Sequence, residues 1–193
     1  MRIVGGKHRG RELEAGPDRR IRPTADRTRE ALYNILAHGE PFHTGAGQLP
    51  AGVRVLDVFA GTGAVGLEAL SRGARHVTFI DDHPDSVKLI RLNTGQLREI
   101  PHVTILQRDA QSPGRAPAPC QLVFMDPPYK LGVVPSVLTA LERDGWLDDQ
   151  AFVVCEMSAK DEFILPPGFR QLDDRIYGAA RLVFLRREST AAA

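Results

Sequence analysis

The sequence predicts an α/β fold: a doubly wound, mostly parallel sheet of seven strands, closed by a C-terminal antiparallel hairpin and preceded by an N-terminal basic β-hairpin/helix extension. Three observations predict it. From Val53 to Met157, short apolar runs alternate with stretches of helical periodicity, the mark of β-α-β units, which align strands in parallel and place helices on both faces. The last two runs, Gly168–Tyr177 and Ala180–Arg186, are separated by two residues, too few for a crossover, so they close as a hairpin. Finally, 193 residues suit one domain with a sizeable core and little spare length.

The elements follow in order. Arg2-Ile3-Val4-Gly5-Gly6 and Arg11-Glu12-Leu13-Glu14-Ala15 flank Lys7-His8-Arg9-Gly10 and read as a β-hairpin with a basic tip. Pro23-Thr24 signals a helix entry: Thr24 offers a capping hydroxyl and Asp26 suits the positive helix end. Thr28, Ala31, Leu32, Ile35 and Leu36 then recur at helical spacing. A Gly- and Pro-rich loop, Gly39 to Gly52, leads to strand Val53–Val58 and an apolar helix from Leu67 to Arg72. Strand Val77–Asp81, helix Asp85–Leu97, strand Val103–Gln107 and a Pro/Ala/Gly-rich loop from Ser112 to Pro119 come next. Gln121–Met125 reads as a buried strand, followed by helix Val134–Arg143, strand Phe152–Met157 and the closing hairpin. Thr190 to Ala193 is expected to fray.

Composition excludes several classes. No run approaches the ~20 apolar residues of a membrane span, and Met1-Arg2-Ile3-Val4-Gly5 has no signal-peptide apolar core. Cys120 and Cys155 lack metal-ligand or disulfide-framework spacing, and the six histidines are scattered, so a reducing cytoplasm and no metal are expected. The net charge of +1 hides an asymmetry: residues 1–29 hold nine Lys or Arg against four acids, so the segment is +5 and the remainder −4. A basic arm on a mildly acidic body is an electrostatic footprint for a polyanion; a solvated charged tail is the plainer alternative.

Asp126-Pro127-Pro128-Tyr129 ends the buried strand at Met125. Each proline lacks an N–H and fixes its φ, and the residue before each is pushed from the helical region, so the ladder stops at a stiff lip. Unpaired carbonyls, one carboxylate and one flat ring suit a planar substrate bearing an NH₂ group, its N–H bonds accepted while its face stacks. A proline-terminated strand with a surface Tyr is the structural alternative.

Gly61, Gly63 and Gly66 spell G-x-G-x-x-G between strand and helix, and Asp81 lies twenty residues after Gly61, where an acid meets a ribose in a Rossmann-like nucleotide site. Asp57 at the strand end would oppose a pyrophosphate and favour an ammonium group. S-adenosylmethionine has that ammonium, a ribose for Asp81 and no phosphate. Ligands in such sheets lie beyond the carboxyl ends of the strands, and Asp57, Asp81, Asp109 and Asp126 each fall at or just past such an end.

Taken together, the glycine turn, Asp81, Arg108-Asp109-Ala110 and Asp126-Pro127-Pro128-Tyr129 resemble the ordered motifs of S-adenosylmethionine-dependent amino-group methyltransferases. The arm, Arg2-Ile3-Val4-Gly5-Gly6 through Arg22-Pro23-Thr24-Ala25-Asp26-Arg27-Thr28-Arg29-Glu30-Ala31-Leu32, is similar to the start of the RsmD-type enzymes, which methylate the guanine N2 amine of bacterial 16S ribosomal RNA. The similarity runs from Arg2 to about Arg187, with Asp81 where the family often has Glu and His83 where it often has another acid. The resemblance implies S-adenosylmethionine contacts from Asp57, Phe59, Gly61, Thr62, Gly63, Asp81, Asp82, Asp109 and Ala110. It implies catalysis by Asp126, Pro127, Pro128 and Tyr129, and RNA contacts from Arg2, Lys7, Arg9, Arg11, Arg22 and Arg27, the partner being 16S ribosomal RNA or a small-subunit assembly intermediate. The expected organisation is an RNA-binding extension over 1–38, a methyltransferase domain over 39–187 and a flexible tail over 188–193.

Three rivals remain. A DNA adenine-N6 methyltransferase would use the same Asp-Pro-Pro-Tyr chemistry, but this chain has no room for the separate target-reading domain such enzymes usually need. A nicotinamide-dependent dehydrogenase leaves Asp57 and Asp126-Pro127-Pro128-Tyr129 unexplained. A non-catalytic RNA-binding protein has no need of four strand-end carboxylates.

Overall fold

The structure is a computed structural model and describes residues 1–16, 26–44, 47–127 and 132–188. Seven strands form the main sheet: β1 (Arg54–Val58), β2 (His76–Asp81), β3 (Val103–Gln107), β4 (Cys120–Met125), β5 (Leu147–Ser158), β6 (Phe169–Tyr177) and β7 (Ala180–Arg187). Their spatial order is β3-β2-β1-β4-β5-β7-β6. The five strands from β3 to β5 run parallel, and β7 lies antiparallel between β5 and β6. Chain order therefore reverses between β1 and β4, the switch point where such sheets open a ligand crevice.

Among the described residues, four helices cover the sheet. α1 (Asp26–His38), α2 (Ala64–Ser71) and α3 (Pro84–Gln96) pack with the N-terminal arm on one face, while α4 (Val134–Arg143) covers the other. α1 turns Leu32, Tyr33 and Leu36 inward, and the Tyr33 ring meets Phe124 edge-on at 5.7 Å. α2 buries nearly every residue because sheet, arm and α1 surround it. A side chain added at Gly66 would come within 2.4 Å of the Phe79 ring, so glycine there sets how closely α2 approaches β2. Pro84 opens α3, with the His83 side chain accepting from the Asp85 N–H.

The elements differ from expectation in four places. α2 starts at Ala64, three residues earlier than Leu67, because Gly63 is in the left-handed region (φ 76°) and turns the chain directly into the helix. β5 starts at Leu147, five residues before Phe152, because Leu147 is buried and pairs with Cys120 across an irregularity. The loop from Gly39 to Gly52 holds a 3₁₀ turn, Glu40–Phe42, and a two-residue ladder between His43–Thr44 and Gly47–Gln48. Finally, the arm hairpin is reduced to one bridge, Arg2 with Glu12, around the 3₁₀ turn Gly6–His8. Thr24, the expected cap, and the segment Thr190 to Ala193 lie outside the described residues.

The arm belongs to the core of the sheet. Ile3, Leu13, Leu32, Tyr33 and Leu36 join the same apolar cluster as Val55, Leu67, Phe79 and Phe124. Its anchor is Glu68, fully buried on α2, whose carboxylate accepts from the Val4 and Gly5 N–H groups at 2.8 and 2.7 Å and pairs with Arg72 at 2.9 Å. Arg29 lies 3.6 Å from the same carboxylate and donates to the Arg2 carbonyl and to Asp26. A buried carboxylate with this many donors is a structural hub.

Candidate active site

β1 feeds the turn Phe59-Ala60-Gly61-Thr62-Gly63. Phe59, Gly61 and Gly63 take φ of 60°, 55° and 76°; the first is costly for a residue with a Cβ, a conformation that surrounding structure must hold. The Phe59 N–H donates to the Ile80 carbonyl at 2.9 Å, and the Gly63 N–H to the Ala60 carbonyl at 2.7 Å. Thr62 is buried, its hydroxyl 3.9 Å from the Met1 sulfur. Asp57 lies beneath this turn, 4% exposed, accepting from the Gly66 N–H at 2.9 Å. Burial pushes its carboxyl up to about 8 against that hydrogen bond, with a smaller contribution from Asp81.

Asp81 ends β2 and ties the rim together, one oxygen accepting from the Gly61 N–H at 2.8 Å and the other from the His83 N–H at 2.9 Å. Burial raises its carboxyl despite these bonds. Asp82 is exposed, and its carbonyl accepts from the Gln107 amide at 3.3 Å. Asp109 is exposed two residues beyond β3 and closes a turn onto the Gln111 N–H at 2.8 Å, while Ala110 is buried under the sheet's other face. The turn therefore sets half-buried Gly61 amid Asp57, Asp81, Asp82 and Asp109, with Gly63 buried behind it. Those acceptors fit a ligand with a cationic end and ribose hydroxyls, and they oppose a pyrophosphate.

Asp126 follows β4 directly, its N–H 3.5 Å from the Val58 carbonyl. One strand separation, about 4.8 Å, thus lies between the glycine turn and the Asp126-Pro127 lip. Pro128 and Tyr129 lie outside the described residues. Strand order brings the four carboxylates foreseen at strand ends onto four neighbouring strands, in the sequence Asp109, Asp81, Asp57, Asp126 across the crevice edge.

Of the arm residues, Arg2, Arg9, Arg11 and Arg27 are exposed, and Arg22 lies outside the described residues. Lys7 is exposed too, but its Nζ sits 2.6 Å from buried Glu99, beside His8 Nε2 at 2.5 Å. Burial would raise the Glu99 carboxyl, but the His8 and Lys7 contacts prevail and hold it below its usual value. The His8 N–H also donates to Ser71 Oγ at 2.9 Å. The basic tip is thus docked at the C-terminal ends of α2 and α3, away from the crevice at their N-terminal ends. Lys7 serves that docking, and Arg29, counted in the basic charge of the arm, is buried.

Three residues escaped sequence reasoning. Glu156 faces the crevice from β5; an acid between the apolar run Phe152-Val153-Val154-Cys155 and Met157 was the available signal. Asn93 interrupts the apolar stripe of α3, donating to the carbonyls of Thr62 and Glu14, both at 3.0 Å, and so joins the glycine turn to the arm. Glu68 sits in an apolar helix, the same signal of a partnered buried charge.

A Rossmann-like sheet with this strand order, a glycine turn at its switch point and an acid-Pro lip on the next strand defines a methyltransferase, and solved structures agree. An Escherichia coli chain described as methyltransferase yhhF superposes with a TM-score of 0.83 at 30% identity, covering 98% of this chain and 99% of that one. Residues 1–186 match the family Conserved hypothetical protein 95. The chain belongs to that family, the RsmD family of ribosomal RNA methyltransferases. Ribosomal RNA small subunit methyltransferase D of Escherichia coli K12 is 33% identical over 196 residues, 98% of this chain and 91% of its own. The protein of that name in Haemophilus influenzae is 28% identical over 92% of this chain and 89% of its own. Among the described residues no helix is long and apolar enough to cross a membrane, and none form a group of three or more His, Cys, Asp or Glu suited to a metal ion.

Proposed function

We propose that the chain methylates the exocyclic N2 amine of a guanine in 16S ribosomal RNA in the cytoplasm, with S-adenosylmethionine as donor. The observation that carries this reading is the adjacency of the glycine turn on β1 and the Asp126-Pro127 lip on β4, with the Asp126 N–H against the Val58 carbonyl. Relatives named for small-subunit ribosomal RNA support the substrate.

S-adenosylmethionine, when bound, supplies a methyl group made electrophilic by the sulfonium. Asp57 and the backbone of Gly61 and Gly63 hold its methionine end, Asp81 the ribose hydroxyls and Asp109 the adenine amine, with Phe59, Thr62, Asp82 and Ala110 shaping the walls. An exocyclic guanine nitrogen is a poor nucleophile because its lone pair is delocalised into the ring. Asp126 and the Pro127 carbonyl accept its N–H bonds, drawing it toward tetrahedral geometry and aiming the lone pair. Pro128 stiffens the lip, and Tyr129 stacks on a base that has left its RNA stack. Exposed Arg2, Arg9, Arg11 and Arg27, with Arg22, contact phosphates.

Incubation with labelled S-adenosylmethionine and either undermethylated small-subunit material or DNA, followed by mapping of the modified base, tests the reading. N2-methylguanine in 16S RNA is the expected product. Label on adenine N6 of DNA, or on no nucleic acid, overturns it.

A further inference from the structure

Register puts a second acid beside Asp126. Asp57 pairs with Phe124, and Phe124 with Val154, so these three side chains share one face. Two residues further along β4 and β5, Asp126 and Glu156 return to that face as neighbours. They line one small cavity of about 20 Å³ with Asp57, beneath Leu32 of α1 and Val65 of α2. Leu182 of β7, the ladder partner of Glu156, lines its far side. Among the described residues, the groups facing Asp126 are thus two acids, Glu156 from β5 and Asp57 from β1, and apolar side chains from α1, α2 and β7.

Resting on the function proposed above, we propose that Glu156 is a positioning residue for the proton-transfer half of the reaction, making Asp126 the acceptor of the proton that the nitrogen must shed. In the transfer, the nitrogen lone pair forms the new C–N bond and the C–S bonding pair returns to sulfur. The nitrogen, now positive, loses one proton: its N–H pair becomes the lone pair again, and an Asp126 oxygen forms the O–H bond. An exposed aspartate, with an ordinary value of about 3.9, lies well below the working pH at which a general base is most effective. A like charge next door on the same desolvated face raises the proton affinity of Asp126. Burial first, then Glu156 and Asp57, hold the Asp126 carboxyl well above its usual value.

The test is a pH profile of single-turnover methyl transfer from labelled S-adenosylmethionine to undermethylated small-subunit RNA. The wild-type rate rises with pH as Asp126 ionises. In Glu156→Gln that limb moves down by about one pH unit or more, and the plateau falls several-fold because the base is weaker. Glu156→Asp, which keeps the charge, restores the limb toward its wild-type position. A Glu156→Gln limb that stays put, whatever its height, overturns the inference and leaves the methyltransferase reading intact. A wild type that transfers no methyl group at any pH overturns that reading, and the inference with it. A ¹³C NMR titration of the Asp126 carboxyl in the unsubstituted protein, with no RNA present, is independent of activity and of how the variants fold. A midpoint at the ordinary aspartate value of about 3.9 overturns the inference.

Discussion

Asp81 has two duties at once. Its carboxylate accepts from the Gly61 and His83 N–H groups, and it presents its remaining lone pairs to the crevice. Asp81→Ala is therefore expected to weaken S-adenosylmethionine binding by about 1–3 kcal/mol, the scale of a lost charged acceptor, partly by freeing the glycine turn. Calorimetry on the folded variant reads this; unchanged affinity removes Asp81 from the site. Asp126→Ala should keep cofactor affinity and lose methyl transfer by on the order of 10²-fold, because the lost acceptor acts on the nitrogen rather than on the donor. A parallel loss of cofactor affinity would reassign Asp126 to the donor's pocket.

The arm, α2 and the end of α3 behave as one element, held by two buried acids. Glu68 collects the Val4 and Gly5 N–H groups and Arg72, with Arg29 close by. Glu99 collects Lys7 and His8. Glu68→Ala strands buried donors around it and should cost about 3–5 kcal/mol, read as a lower urea midpoint with proteolytic cleavage appearing between Gly5 and Gly16. Stability within 1 kcal/mol of wild type, about the worth of one ordinary net hydrogen bond, would mean the arm is held by its apolar contacts instead. The hairpin was legible as two short flanks around a basic tip; its docking was not, because the acids that receive it lie more than sixty residues further on.

For the molecule as a whole, pH and salt separate the acidic crevice from the basic arm. Asp57 has a folded value of about 8 against an ordinary 3.8, so the folded state holds its proton more tightly. Its stabilisation is present below about pH 4, wanes as pH rises and is gone above about 8; Asp126 acts in the same direction. Glu99 has the opposite sign: lowered when folded, it stabilises above the ordinary carboxylate range and loses that contribution as pH falls through its folded value. Urea midpoints are accordingly expected to fall from about pH 5 to about pH 9, and Asp57→Asn should flatten the slope; a wild-type midpoint that climbs steadily over that range contradicts this. For RNA, replacing Arg9 and Arg11 together should weaken binding and flatten the salt dependence by up to roughly two phosphate contacts. Lys7→Ala should instead loosen the docked tip, because its charge is spent on Glu99. Affinity-against-salt curves that coincide for wild type and the Arg9/Arg11 variant would leave the arm a solvated face.

What the sequence determined by itself is local. Apolar runs and their spacing set the strands and helices to within a few residues, and glycine, proline and aspartate marked the turn and the lip, because backbone freedom and stiffness are properties of single residues. The motifs carried the methyltransferase reading. Tertiary structure alone decided which marked residues are neighbours. Strand order made Asp109, Asp81, Asp57 and Asp126 successive members of one rim. Register turned Glu156 onto their face, and chain-distant acids gave exposed Lys7 a buried partner and Arg29 a place inside the protein. The physical reason is that a carboxylate's proton affinity and a cation's availability depend on burial and on the charges beside them, and those neighbours come from segments far apart in the chain.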